Sequence, residues 1–184
     1  MIFDRRKAKK MNKLSPFEQV QEFHEVFDKP GKSKPQALTP EEAIKRANFT
    51  TEEVIEFLYA SVKGDITQFD EVILEWKNAA EESIVKIKNE QKEVQSRLIG
   101  QVDALTDANY FNHGSFVLMG IDPDPIFSIV HQANMGKLFP DGKPRYRKTD
   151  GKVMKPANWE NDFAPEPKIH AEIERQINKA NEEC

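Results

Sequence analysis

From Ile66 onward, apolar residues fall at Phe69, Ile73, Trp76, Ala80, Ile84, Ile87, Val94 and Leu98. Most steps are three or four residues, the spacing of one face of an α-helix. No glycine or proline intervenes before Gly100, so the spacing predicts one helix over 66–99, on the order of 50 Å long at its rise per residue. A chain of 184 residues has enough material for one compact domain but not for a thick wrapping around such a rod. The helix must therefore bend or pair with a second subunit.

The rest of the chain reads the same way. Ser15-Pro16 followed by Glu18 is a capping box with proline at the first helical position, and Phe17, Val20, Phe23, Val26 and Phe27 continue it as an amphipathic helix ended by Pro30-Gly31. Thr39-Pro40-Glu41-Glu42 repeats the signal and predicts a helix that continues or restarts at Thr50 and runs to about Val62. Gly100 is expected to separate the long helix from another over about 102–119, and Asp124-Pro125 starts a shorter one to about Lys137. Residues 139–167 are rich in Pro, Gly and charge, with a possible hairpin at Asp150-Gly151 whose arms carry Tyr146 and Val153. A charged, peripheral helix spans about 166–181. With no sustained strand alternation, the expected class is all-α: a bundle of four to five core helices with an irregular basic C-terminal segment. Residues 1–14 are expected to form a basic tail and residues 15–184 a single domain.

Net charge is −4, which gives no global reason to expect nucleic acid as a partner. Basic residues concentrate instead in two places. Residues 1–13 carry Arg5, Arg6, Lys7, Lys9, Lys10 and Lys13, and residues 137–155 carry Lys137, Lys143, Arg145, Arg147, Lys148, Lys152 and Lys155. Cys184 is the single cysteine, so no intrachain disulfide and no cysteine-based zinc site is expected. The N-terminal basic residues lack a following apolar run, and the least charged stretch, 102–121, contains Asp103, Asp107, Asn109, Asn112 and His113. Neither pattern suits secretion or membrane insertion, and a cytoplasmic protein is expected.

The acids carry more information. On the helix after Thr39, Val54, Ile55, Leu58 and Val62 share one side, while Glu53 and Glu56 lie about 60° apart on the opposite side beside Phe57 and Ala60. In the 102–119 segment, Asp103 and Asp107 are the only charges, about 40° apart on a face shared with Tyr110, Phe111, Gly114 and Leu118. A helix so apolar should be central, and burying two carboxylates on it is costly unless they are protonated, paired or bound to a cation. Two such helices packed antiparallel can direct four carboxylates to one point, a hard-cation site suited to Mg²⁺ or Mn²⁺. Taken alone, Glu52, Glu53 and Glu56 also suit a charged first turn that complements the helix dipole. The basic 137–155 segment offers charge for polyphosphate, although each of its residues also fits a solvated loop. His24, His113 and His131 have no metal-ligand spacing among them.

These motifs resemble those of the all-α nucleoside triphosphate pyrophosphohydrolases, the MazG-like superfamily that includes phosphoribosyl-ATP pyrophosphohydrolase and the dimeric dUTPases. Glu52-Glu53-Val54-Ile55-Glu56 matches the first half of the family's acidic signature, and Asp103-Ala104-Leu105-Thr106-Asp107 stands for the second. Ala104 occupies the place three before Asp107 where the family usually has glutamate, so Asp103 substitutes from one position earlier. The two motifs are also farther apart than usual. Residues 20–27 look like the family's opening helix, and 131–137, 151–156 and Trp159 look like its substrate-covering region, which here spans about 137–165.

The resemblance implies hydrolysis of a (d)NTP to (d)NMP and pyrophosphate. It implies Mg²⁺, with Mn²⁺ as a substitute, on Glu53, Glu56, Asp103 and Asp107. Glu53 and Glu52 are the catalytic candidates, Glu52 through outer-sphere water activation or as a simple cap. Lys137, Lys155, Asn134 and Asn158 are expected at the substrate phosphates, and Phe17, Phe23 and His24 at the base. A homo-oligomer, dimer or tetramer, is expected to cover the apolar stripes. Two alternatives stay open: a hydrolase of phosphoribosyl-ATP or another phosphorylated metabolite, and a non-catalytic helical interaction protein.

Overall fold

A computed structural model describes residues 14–28, 30–149 and 151–183. The expected basic tail, Leu14 excepted, lies outside the described residues, as do Asp150 and Cys184. The helices are α1 (Pro16–Phe27), α2 (Pro40–Ser61), α3 (Ile66–Glu90), α4 (Arg97–Met119), α5 (Pro123–Met135), α6 (Trp159–Asp162) and α7 (Glu166–Glu183). The fold is all-α, and an isolated antiparallel bridge between Tyr146 and Val153 closes the expected hairpin. Two compact units form, one of Lys34–Asp107 and one of the residues up to Ser33 together with those from Ala108 onward. Among the described residues, no helix is long and apolar enough to cross a membrane.

In the unit that contains α1, α5 and α7, α5 packs against α1 and against α7. The α1 capping box is formed as the sequence predicts: the Glu18 amide donates to Ser15 Oγ, and the Glu18 carboxylate accepts from the Ser15 amide at 3.1 Å. Phe27, 3% exposed, stacks on Phe23 at 4.6 Å between ring centroids. The Tyr146 hydroxyl donates to the Phe27 carbonyl at 2.8 Å, tying the hairpin to the end of α1. Trp159 is 5% exposed, and its indole Nε1 donates to the Ala133 carbonyl at 2.8 Å. Burying a large apolar side chain of this kind contributes about 1.5–3 kcal/mol, and the hydrogen bond spares the indole N–H a desolvation cost.

In the Lys34–Asp107 unit, α2 runs unbroken through Thr50 from a second capping box, Thr39 with Glu42. Lys63 (φ 53°) and Gly64 (φ 77°) turn the chain into α3, with Tyr59 edge-on to Phe69 across the corner at 5.2 Å. The Gln101 amide donates to and accepts from the Leu38 backbone, at 3.1 and 2.8 Å, which ties the start of α2 to α4.

Two expectations are corrected. The long helix does not reach Ile99: it ends at Glu90, with Gln91 in the left-handed region (φ 43°), and a new helix starts at Arg97 and passes through Gly100. The apolar stripe lapses between Ile87 and Val94, and Ser96 offers a helix start, its Oγ accepting from the Ile99 amide at 3.3 Å. A glycine in the first turn costs about 1 kcal/mol, less than a stripe with nothing to pack on. Nor is the 102–119 segment central within its own chain. Phe111 is 70% and Leu118 90% exposed, and Val102, Leu105, Tyr110 and Val117 are also exposed.

Candidate active site

The acidic residues sit where helix periodicity puts them. On α2, Val54, Ile55, Leu58 and Val62 are half-buried, while Glu52, Glu53 and Glu56 face outward. Asp103 and Asp107 are exposed on α4, so the expected burial of these carboxylates is absent within one chain. α2 packs on α3, and among the described residues no three His, Cys, Asp or Glu side chains come together as a metal-holding group. One chain does not bring the two acidic pairs to one point. The donor set is nevertheless of the right chemistry for a hard divalent cation, carboxylate oxygen throughout. Among the described residues, none of the salt bridges engages Glu53, Glu56, Asp103 or Asp107.

Of the residues expected at the phosphates, Asn134 and Lys137 touch each other and Lys155 is near enough for its charge to act on Lys137, all in the other unit. α5 ends at Met135, and Gly136 caps it through its N–H to the Gln132 carbonyl. This places Asn134 and Lys137 side by side, and Lys137 Nζ donates to Asn134 Oδ1 at 2.7 Å. Lys155 arrives from the hairpin's second arm and sets its Nζ 3.5 Å above the centre of the Trp159 ring. A cation over an indole face is the strongest aromatic pairing available to lysine. Because the Trp159 N–H is fastened to Ala133, the residue before Asn134, one indole links the positions of both lysines. Burial, and secondly the charge of Lys155, hold the Lys137 ammonium below its usual pKa. Two ammonium groups close enough to oppose each other's charge, one half-buried, concentrate positive charge at this place.

Gly136 permits this arrangement by being small. A Cβ there would fall inside the Phe163 side chain, which lies directly against the glycine. The Phe163 backbone N–H donates to the Trp159 carbonyl at 2.8 Å, so the glycine, the aromatic residue and the tryptophan lock α5 to α6. Asn158 donates to the Asp162 carboxylate at 2.6 Å and so braces α6. In this structure it is a bracing residue.

The expected base-pocket residues lie on α1. Phe23 is committed to its stack with Phe27, His24 Nδ1 pairs with Asp28 at 3.3 Å, and Phe17 is largely exposed. Two neighbours of the lysines were given no site role from sequence, although Trp159 was placed in the substrate-covering region. They are Trp159, the platform for Lys155, and Glu160, whose Oε1 lies 3.1 Å from Lys155 Nζ. The Lys155-to-Trp159 spacing of four was the available signal, obscured by Pro156 between them.

No curated protein matches the chain. The family model for phosphoribosyl-ATP pyrophosphohydrolase matches residues 20–134, a span that contains both acidic helices. The chain is also similar to the crystal structure of a "putative NTP pyrophosphohydrolase" from Exiguobacterium sp. 255-15, at 42% identity and a TM-score of 0.83, covering 92% of this chain and 99% of that one. With paired acids on two helices and a lysine pair past the end of α5, the chain belongs to the phosphoribosyl-ATP pyrophosphohydrolase family of the MazG-like all-α superfamily, hydrolases acting on phosphoanhydride bonds.

Proposed function

We propose that this protein hydrolyses nucleoside triphosphates between the α and β phosphates, releasing a nucleoside monophosphate and pyrophosphate, with a divalent metal as cofactor. The observation that carries the reading is the Lys137–Lys155 pair braced by Trp159 and Asn134, in a chain that shares its family with pyrophosphohydrolases. The lysines bind the β and γ phosphates and stabilise the charge that develops on departing pyrophosphate. Glu53, Glu56, Asp103 and Asp107 are the hands for Mg²⁺ or Mn²⁺, and Glu52 orients the attacking water. When bound, the metal supplies charge neutralisation at the phosphates and acidifies water.

The working form in this reading is a homo-oligomer. The exposed aromatic and aliphatic residues of α4, together with Ile66, Leu74 and Ile87 of α3, form more apolar surface than a monomer keeps in water. A second copy laid on these faces both covers them and supplies the helix neighbours that the two acidic pairs lack.

The test is pyrophosphate release from a panel of canonical and modified (d)NTPs, with Mg²⁺, with Mn²⁺ and with EDTA, on protein whose mass in solution is measured in parallel. Metal-dependent release of pyrophosphate and monophosphate by a dimer or tetramer is the expected result. No release by folded protein overturns the reading. Phosphoribosyl-ATP belongs in the panel because the family model bears its name, and preference for it would assign the substrate to that second reading.

A further inference from the structure

Lys155 already has a counter-ion. Its Nζ lies 3.1 Å from Glu160 Oε1 as well as over the Trp159 ring. Lys137, the other ammonium of the pair, is held by the neutral amide of Asn134. The negative charge at this site therefore sits on one side. Glu160 belongs to α6, whose position is set by the Trp159 bond to Ala133, by the Asn158–Asp162 bond and by Lys168 Nζ donating to the Asp162 carbonyl at 3.2 Å. Its backbone is anchored while its side chain, 72% exposed, is free to swing away.

We propose that Glu160 is an intramolecular competitor for the phosphate anion at Lys155, a positioning residue that holds the lysine and is displaced when polyphosphate binds. The proposal rests on the phosphate-binding reading of the lysine pair given above. A carboxylate and a phosphate oxygen present the same acceptor to an ammonium, and with the indole covering one side of Nζ the two anions crowd and repel each other on the side that is left. Displacing Glu160 exchanges one ion pair for another. The displacement weakens every phosphate ligand by the same factor, which also hastens departure of product pyrophosphate. Because the pair is well exposed, the factor is modest: about two- to fivefold in dissociation constant.

The experiment is calorimetric titration of inorganic pyrophosphate and of tripolyphosphate, in Mg²⁺ buffer, into the full chain, Glu160→Gln, Lys155→Met and the double variant. Direct binding is read, so turnover is not required. The expected result is that Glu160→Gln tightens both ligands by the same factor of about two to five, and that this gain vanishes when Lys155 is methionine. Unchanged or weaker binding by Glu160→Gln overturns the competitor role, as does an equal gain without Lys155, which would be general charge removal. If the unaltered chain binds neither anion, the phosphate reading fails with it. Binding by the unaltered chain with no response to Glu160→Gln leaves that reading standing and removes only this inference.

Discussion

Replacing Gly136 with alanine adds one methyl group at the junction that holds the lysine pair. Gly136 is right-handed helical (φ −63°, ψ −7°), so alanine fits the backbone without strain and would by itself stabilise by about 0.4–1 kcal/mol through the unfolded state. Against that, its Cβ overlaps the Phe163 side chain, Phe163 Cβ included, so rotation about χ1 does not relieve the clash, and the Phe163 backbone is held by its N–H bond to the Trp159 carbonyl. Overpacking of this kind costs about 1–3 kcal/mol. With so deep an overlap the cost lies at the upper end, about 2–3 kcal/mol, and set against a gain of about 1 kcal/mol the net loss is about 1–2 kcal/mol. For a chain of this length that lowers Tm by roughly 2–8 °C, measured by circular dichroism in the far and near ultraviolet. Displacing Phe163 also moves α6, Trp159 and Lys155, so the affinity for tripolyphosphate should fall with stability. Adding Phe163→Ala to Gly136→Ala removes the overlap, and the two changes together should cost less than the sum of their separate effects. Gly31→Ala, which meets open space, serves as the neutral control. An unchanged or raised Tm for Gly136→Ala would refute the close packing of Phe163 on α5.

Asp107→Asn keeps the shape of an exposed helix position while removing one carboxylate charge, so melting should be unchanged while pyrophosphate release is lost. Turnover equal to the parent would sink the metal assignment. The pH dependence of anion binding follows from Lys137, whose folded pKa lies below its unfolded value because of burial and the charge of Lys155. Its protonated form, which the fold disfavours, is the form that binds anions. Tripolyphosphate affinity should therefore fall as pH rises, at lower pH than an ordinary lysine would give, and Lys155→Met should move this fall upward. A titration in which Lys155→Met leaves the fall in place or moves it downward would contradict the coupling between the two lysines.

Local signals written in consecutive residues were legible throughout. Ser15-Pro16 with Glu18 gave a capping box and Thr39-Pro40 a capped helix start, because a cap is decided by groups within three residues of each other. The hairpin bridge at Tyr146 and Val153 followed from its turn residues in the same way. The break at Gln91 was missed because the heptad gap between Ile87 and Val94 still fits helical spacing. What ended the helix was the lapse in its stripe and the better start at Ser96, a competition between two local choices rather than a breaker residue. At the site, charge and resemblance singled out Lys137 and Lys155 as candidate phosphate ligands. Glu160 was not, since an isolated glutamate in a charged segment carries no signal until the indole of Trp159 fixes which lysine it faces.

Helix content, the class of the fold, the acidic pairs and the family were thus determined by the order of residues alone, because periodicity, caps and short motifs act over a few positions along the chain. Tertiary structure decided which side chains meet across distance. It set Trp159 beneath Lys155 and against Ala133, packed Phe163 onto Gly136, and left the apolar face of α4 exposed in the single chain. The reason is that a helix pattern specifies which face needs covering and not what covers it. That choice depends on volumes and hydrogen-bond partners contributed by segments many residues away.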